Sequence, residues 1–364
     1  MLIAMGEHTD ADLAAWDQFV EALSAAGRQV AADTAELSDV ERADGFRALL
    51  RAVANQLGRF EVDRERPELV AFNGWRQKFL MDNPDFGYWV ADIRDDRRYR
   101  LVGERADAVY VSITAYAVTA TGAQATARVD SDALTVDAAG RFDLAVGGER
   151  PASGDWLELP AGARAVWVRF FYDDADTDRQ GWCAIEPVDT PAVPVPIDPP
   201  RFRRALQRLG ATTAALPQII ATATAEDRQR PNEIRPWSQM TGGAVFTEPD
   251  ISYLRGAWHL EPGEALLIEG EPVACRYWNI LAYSRFLNSL DYRYRPVSYT
   301  GATATLVDGR YRFVLAADDP GAGDWIDTEG RGFGIVVLRF LQPAAAPPLP
   351  SVRRVRLADL PGRR

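Results

Sequence analysis

GDWLELPAGARAVWVRFF (residues 154–171) and GDWIDTEGRGFGIVVLRFL (residues 323–341) are two versions of one phrase. The likeness extends upstream. GRFDLAVGGERPASGDW (140–156) aligns without a gap on GRYRFVLAADDPGAGDW (309–325), and LVGERADAVYVSITAY (101–116) aligns on IEGEPVACRYWNILAY (268–283). Gly103, Glu104, Tyr110, Ile113, Ala115 and Tyr116 then face Gly270, Glu271, Tyr277, Ile280, Ala282 and Tyr283. A period this long is no solenoid repeat. It reads as one module written twice.

The module's language is that of strands. YRLVGE, AVYVSITAYAV, ATARVD, RFDLAV and RAVWVRFFY are short runs of Val, Tyr, Phe and Thr, cut by Gly, Asp and Pro turns. That pattern predicts antiparallel β-sandwiches. Residues 10–60 carry helical spacing instead. Leu13, Trp16, Phe19, Val20 and Leu23 form one stripe, with Gly27 as a stop; Ser38 and Glu41 form a capping box for a second helix striped by Val40, Phe46, Leu49, Leu50, Val53 and Leu57. PVDTPAVPVPIDPP (187–200) is a stiff connector. A helical stretch follows it, interrupted at Pro217.

The expected fold is mainly β, α+β overall: two tandem antiparallel β-sandwich, jelly-roll-like modules with an N-terminal helical segment and a helical connector. The boundaries fall at 1–65 for the helical segment, 66–186 for the first sandwich, 187–245 for linker and connector, 246–345 for the second sandwich and 346–364 for a tail that ends in an edge strand or lies on the surface.

The 364 residues are 47% hydrophobic and carry a formal net charge of -11. An acidic balance argues against nonspecific binding to nucleic acid or anionic membrane. No run reaches the length of a membrane span and no leader peptide is evident, so a cytoplasmic protein is expected. Lys78 is the one lysine, in WRQKFL, which reads as an ordinary amphipathic segment. Cys183 and Cys275 have no metal or disulfide spacing and read as buried thiols.

Shared features of the two copies read as scaffold. Asp155 and Asp324 suit turns that accept backbone N–H groups, with Trp156 and Trp325 laid on a sheet edge. Polar residues present in one copy only are then the site candidates. SRFLNSLDYRYRPVSY (284–299) and DWIDTEGRGFG (324–334) qualify. Asp291, Asp327 and Glu329 are candidate proton carriers; Arg285, Arg293 and Arg331 are candidate anchors for an anionic ligand. Asn279, Asn288, Tyr292 and Trp278 would line the pocket. A second unshared element, QKFLMDNPDFGYWVADI, adds Asn83, Asp85 and Tyr88 as a rim. Both clusters read equally as structural networks: arginine–carboxylate pairs closing a sandwich end, and a turn bonding its own backbone.

RQKFLMDNPDFGYWVADIRDDRRYRLVGERADAVYVSI, CRYWNILAYSRFLNSLDYRYRPVSY and DPGAGDWIDTEGRGFGIVVLRFL resemble bacterial proteins that carry domain of unknown function 1214. The resemblance covers most of residues 70–345. It implies a jelly-roll-like sandwich and a bacterial source, and no particular reaction. The family's Asn before this tryptophan is Asp155 or Asp324 here, an exchange that a turn tolerates.

Asp174, Asp176 and Asp178 alternate, but Arg179 and Ile185 stand where a calcium loop needs Gly and Glu. His8 and His259 are too few for a histidine triad or a multi-histidine metal site. No metal and no cofactor is expected, and nucleotide fingerprints are absent. Two readings remain: a cofactor-independent lyase, isomerase or hydrolase acting on a small organic molecule, and a noncatalytic module that binds a lipid, terpenoid or glycan or mediates assembly, with a homo-oligomer open in either case.

Overall fold

The computed structural model describes residues 2–60, 63–119, 122–189, 196–240 and 247–360. Part of the proline run (190–195) and the end of the tail (361–364) lie outside the described residues. The chain opens with α1 (Leu2–Asp33) and α2 (Asp39–Leu57). The first sandwich follows as β1 (Val70–Ala71), β2 (Phe86–Asp92), β3 (Tyr99–Glu104), β4 (Tyr110–Thr119), β5 (Gly122–Asp130), β6 (Arg141–Val146), β7 (Asp155–Leu157), β8 (Ala163–Phe171) and β9 (Trp182–Pro187). Two helices connect, α3 (Pro199–Ala223) and α4 (Ala225–Gln229). The second sandwich comprises β10 (Glu233–Pro236), β11 (Ile251–His259), β12 (Glu264–Gly270), β13 (Tyr277–Ser284), β14 (Ser298–Thr300), β15 (Leu306–Val307), β16 (Arg310–Ala316), β17 (Asp324–Asp327), β18 (Phe333–Leu341) and β19 (Ser351–Arg356). The fold is mainly β.

The sheet orders correspond. β1-β2-β8-β4-β5 in the first half matches β10-β11-β18-β13-β14 in the second. β7-β6-β3-β9 matches β17-β16-β12-β19, so residues 351–356 of the tail supply an edge strand. Pairing is antiparallel except for β7 on β6 and β17 on β16. The recurring Gly-Asp-Trp is not the expected turn: Asp and Trp open the short edge strands β7 and β17, and each has a defined task. Asp155 accepts from Thr135 N at 2.6 Å, and Asp324 from Thr305 N at 2.7 Å. The Trp156 and Trp325 indoles donate to the carbonyls of Gly147 and Ala316. Gly103 and Gly270 recur because a Cβ there would lie 2.4 Å from the Phe142 ring and 2.5 Å from the Tyr311 hydroxyl, the aromatic residues paired with them across the strand.

Three expectations about the helical parts are corrected. α1 runs through Gly27, whose missing side chain leaves room beside Phe46. α3 runs through Pro217 without a break. The apolar stripes coincide only in part with the faces that α1 and α2 bury, since Leu49 and Val53 are the two stripe residues of α2 that are buried. Leu13, Trp16, Val20, Val40, Leu50 and Leu57 are exposed, whereas Ala15, Ala26, Val30, Ala48, Leu49 and Ala52 are buried.

Each sandwich has its own core: Leu101, Ile113, Leu144, Val168 and Phe170 in the first, Trp258, Leu266, Ile280, Phe313 and Leu338 in the second. Alternation then turns every second residue of β8 and β18 away from its own core. Those outward faces meet. Phe86, Tyr110 and Phe171 join Tyr277 and Leu341 in one cluster across the gap. Arg128–Asp250 and Arg276–Asp132 ion pairs close its margin. The molecule is therefore four sheets deep, and its middle layer lies between two sandwiches.

Candidate functional site

The carboxylates and arginines chosen from the second copy do come together, at the end of the second sandwich, where α2 docks. Arg285 bonds Glu41 at 2.7 Å. Asp291 faces Arg47 at 3.4 Å and Arg51 at 3.6 Å, and its N–H donates to Glu329 at 2.6 Å. Arg331, buried, bridges Asp44 and Glu329. Arg295 pairs with Asp327 at 2.5 Å. Arg293 lies over the Trp75 ring, which meets Tyr292 edge-on. Apart from Arg293, stacked on Trp75, every charge of this group is matched by a charge on α2 or within the group, which is what a helix-docking network requires. Asn288 is buried with an unpaired side-chain oxygen. Trp278 is corrected outright: it points into the sandwich core, packed on Tyr311, Phe313 and Phe340.

The segment with Lys78 is also not an ordinary amphipathic segment with its charge in water. It is irregular, and Lys78 is wholly buried. Its ammonium donates to Ser289 Oγ and Ser289 O, both at 2.7 Å, and lies over the Trp75 and Tyr292 rings. Ser289 in turn donates to Asp82 at 2.6 Å. Burial pushes the Lys78 ammonium down to about 8.

A second constellation fills the layer between the sandwiches. On β8, Arg169 stands between its strand partners Tyr88 and Ser112; on β18, Arg339 stands between Tyr253 and Asn279. Arg169 donates to the Tyr116 hydroxyl at 3.1 Å, and Arg339 to the Tyr283 hydroxyl at 2.6 Å. The two arginines, four tyrosines and two strand partners thus repeat the same figure. The segments leading into the sandwiches cross over. Glu248, just ahead of β11, reaches into the first sheet, where it pairs with Arg169 at 2.7 Å and accepts from Ser112 at 2.5 Å. Asp85, just ahead of β2, reaches into the second sheet, where it accepts from Asn279 at 2.7 Å and Tyr277 at 2.9 Å. Asn83 accepts from Asp85 N at 3.1 Å and from Asn279 at 3.3 Å.

The figure is not electrically symmetric. Arg169 has Glu248. Among the described residues, no carboxylate lies within ion-pair distance of Arg339, which is 4% exposed and whose Nη1 has no hydrogen-bond partner. A buried guanidinium without a counter-charge is costly. Asn279 Oδ1 beside it is also unpaired. Burial pushes the Asp85 carboxyl up, against the bonds from Asn279 and Tyr277 and the field of Arg339. Burial likewise raises the Tyr88 hydroxyl, which makes no hydrogen bond among the described residues. Tyr88 and Tyr253 are half-buried, so the layer stays partly accessible along this edge.

Of the residues picked from sequence, this layer holds Asn83, Asp85, Tyr88 and Asn279. It also holds Tyr116, Arg169, Glu248, Tyr253, Tyr277, Tyr283 and Arg339, which were passed over. A signal existed: AVWVRFF (165–171) and GIVVLRFL (334–341) each set one arginine inside an otherwise apolar run.

Among the described residues no group of His, Cys, Asp and Glu converges as a metal set. Asp174 and Asp178 accept backbone N–H groups of their own turn. His259 is exposed, its N–H held by Asn232. No described helix is long and apolar enough to cross a membrane.

No protein-family model and no curated protein matches the chain. Among solved structures it is similar to an uncharacterised protein of Burkholderia cenocepacia, with a TM-score of 0.89 and 27% identity over 95% of this chain and 98% of that one. A weaker likeness, TM-score 0.49 at 11% identity over 85% of this chain and 97% of that one, is to the VPA0106 protein of Vibrio parahaemolyticus.

Proposed function

We propose that the layer between the sandwiches binds a small carboxylic acid bearing a hydroxyl group, and that Asp85 moves a proton on it. The observation that carries this reading is Arg339, a buried guanidinium whose Nη1 has no hydrogen-bond partner and which has no carboxylate partner among the described residues. A ligand carboxylate would take the place that Glu248 takes at Arg169, with charge-assisted bonds of about 1.5–3 kcal/mol each. The ligand hydroxyl would donate to Asn279 Oδ1. Asp85, with a carboxyl pushed up by burial and one oxygen already held by Asn279 and Tyr277, is suited to general acid–base work. The chemistry is that of a cofactor-independent lyase, isomerase or hydrolase.

The doubled module explains how such a site arises. In this reading a gene doubled a sandwich of the kind that the domain 1214 resemblance implies, and the copies met face to face. One arginine kept an internal counter-charge, and the other was left for a ligand.

The test begins with mass spectrometry of small molecules released from the purified protein. Calorimetric titration of the acids found follows, on the unaltered protein and on Arg339→Met. A carboxylic acid that binds the former and at least tenfold more weakly the latter supports the proposal. Equal binding by both removes Arg339 from the site and overturns it.

A further inference from the structure

A separate cleft of about 890 Å³ opens between α3, the end of α2 and the turns of the first sandwich. Among the described residues, seven arginines and five carboxylates line it. Four of the carboxylates are already paired: Asp92 with Arg59, Glu65 and Asp96 with Arg94, and Asp63 with Arg201. The fifth, Asp95, accepts from Gly162 N at 2.5 Å. Among the described residues, Arg64, Arg164, Arg204 and Arg208 lining the cleft form no ion pair. All four are exposed.

Their placement follows from the helix. In RFRRALQR, Arg201, Arg204 and Arg208 recur every three or four residues, which puts them on one face of α3. That face is turned toward the sandwich, since Leu209 and Thr212 line the same cleft. Arg164 comes from the start of β8 and Arg64 from the segment after α2. Guanidinium groups converge there from three parts of the chain, in a molecule whose net charge is -11. Arginine forks match phosphate oxygens in pairs, and several of them suit more than one phosphate.

We infer that this cleft binds a small molecule carrying two or more phosphate groups. The paired arginines form its floor, and the four unpaired ones grip the anion. The volume excludes a requirement for anything longer, and the acidic surface elsewhere disfavours a nucleic acid.

The test uses inorganic tripolyphosphate titrated calorimetrically into the full chain at low and at physiological salt. The unaltered protein is expected to bind at one saturable site, weakening as salt rises. The Arg204→Glu/Arg208→Glu double variant is expected to lose at least tenfold in affinity with its thermal melt unchanged. Arg353→Glu, on the far sheet, and Arg339→Met are expected to bind as the unaltered protein does. No saturable binding, retention of binding in the double variant, or equal loss in Arg353→Glu would overturn the inference.

Discussion

Arg169 and Arg339 hold the same position in the two sandwiches, each bonded to a tyrosine one strand away, yet among the described residues only Arg169 is ion-paired, with Glu248. Removing one partner of a buried pair strands the other charge. Glu248→Ala is therefore expected to destabilise the fold by about 3–5 kcal/mol in denaturant titration. A loss below about 1 kcal/mol would show that the pair is not what holds Arg169 in the layer.

Arg339→Met should behave in the opposite way. It exchanges an uncompensated buried cation for an apolar chain of similar length. The unliganded protein is expected to keep or raise its melting temperature while ligand binding is lost. A large fall in melting temperature would show that Arg339 serves the scaffold.

Asp85 yields a pH dependence. Its folded pKa lies above the ordinary aspartate value, so the folded chain holds a proton that the unfolded chain has released. Stability from this group is complete at low pH and falls as pH rises through the folded pKa. Asp85→Asn removes that fall and keeps an acceptor for Tyr277 and Asn279. The variant is expected to match the parent near about pH 4 and to exceed it at pH 7 in melting temperature, with any turnover abolished.

Lys78 gives the reverse sign. With a folded pKa of about 8 against an ordinary 10.5, the unfolded chain binds the extra proton between those values. Stability then rises with pH across that window. Urea titrations at pH 7.5 and 9.5 (on the order of one proton released on folding) should show the rise in the parent and not in Lys78→Met.

The network that holds α2 should separate cleanly from ligand binding. Arg331→Ala leaves the half-buried Glu329 without its cation and the buried Asp44 with Arg47 alone. The expected outcome is a loss of about 3–5 kcal/mol, seen with earlier proteolysis in α2, and unchanged affinity for the interlayer ligand. A matching loss of affinity with stability intact would return these residues to the site.

The architecture was legible because strand periodicity and a long-range repeat are both local patterns of residue type. The site was legible only in part. Asn83, Asp85, Tyr88 and Asn279, which lie in the interlayer, stand out in the sequence because they flank an unusual turn or differ between the two repeats. Arg169 and Arg339 were lost to the assumption that what both copies share is scaffold. That assumption fails where two copies face each other, because a shared residue then contributes twice to one place. The pairing of the Asp291 and Arg331 cluster with α2 was illegible for another reason. Its counter-charges, Glu41, Asp44, Arg47 and Arg51, lie in a helix some 240 to 290 residues away, and no spacing rule connects them. The unequal treatment of helix stripes is a matter of packing: α1 and α2 bury Ala15, Ala26, Ala48 and Ala52 together with Val30, Leu49 and Val53, and leave Trp16, Val20 and Leu50 outside.

The crossing of Asp85 and Glu248 makes each half custodian of the other's buried group. A chain severed in the connector would yield two fragments, one with an orphan guanidinium at position 169 and one with Tyr277 and Asn279 robbed of their acceptor. Neither fragment should survive as an autonomous unit, and mixing the two should restore a single cooperative melt.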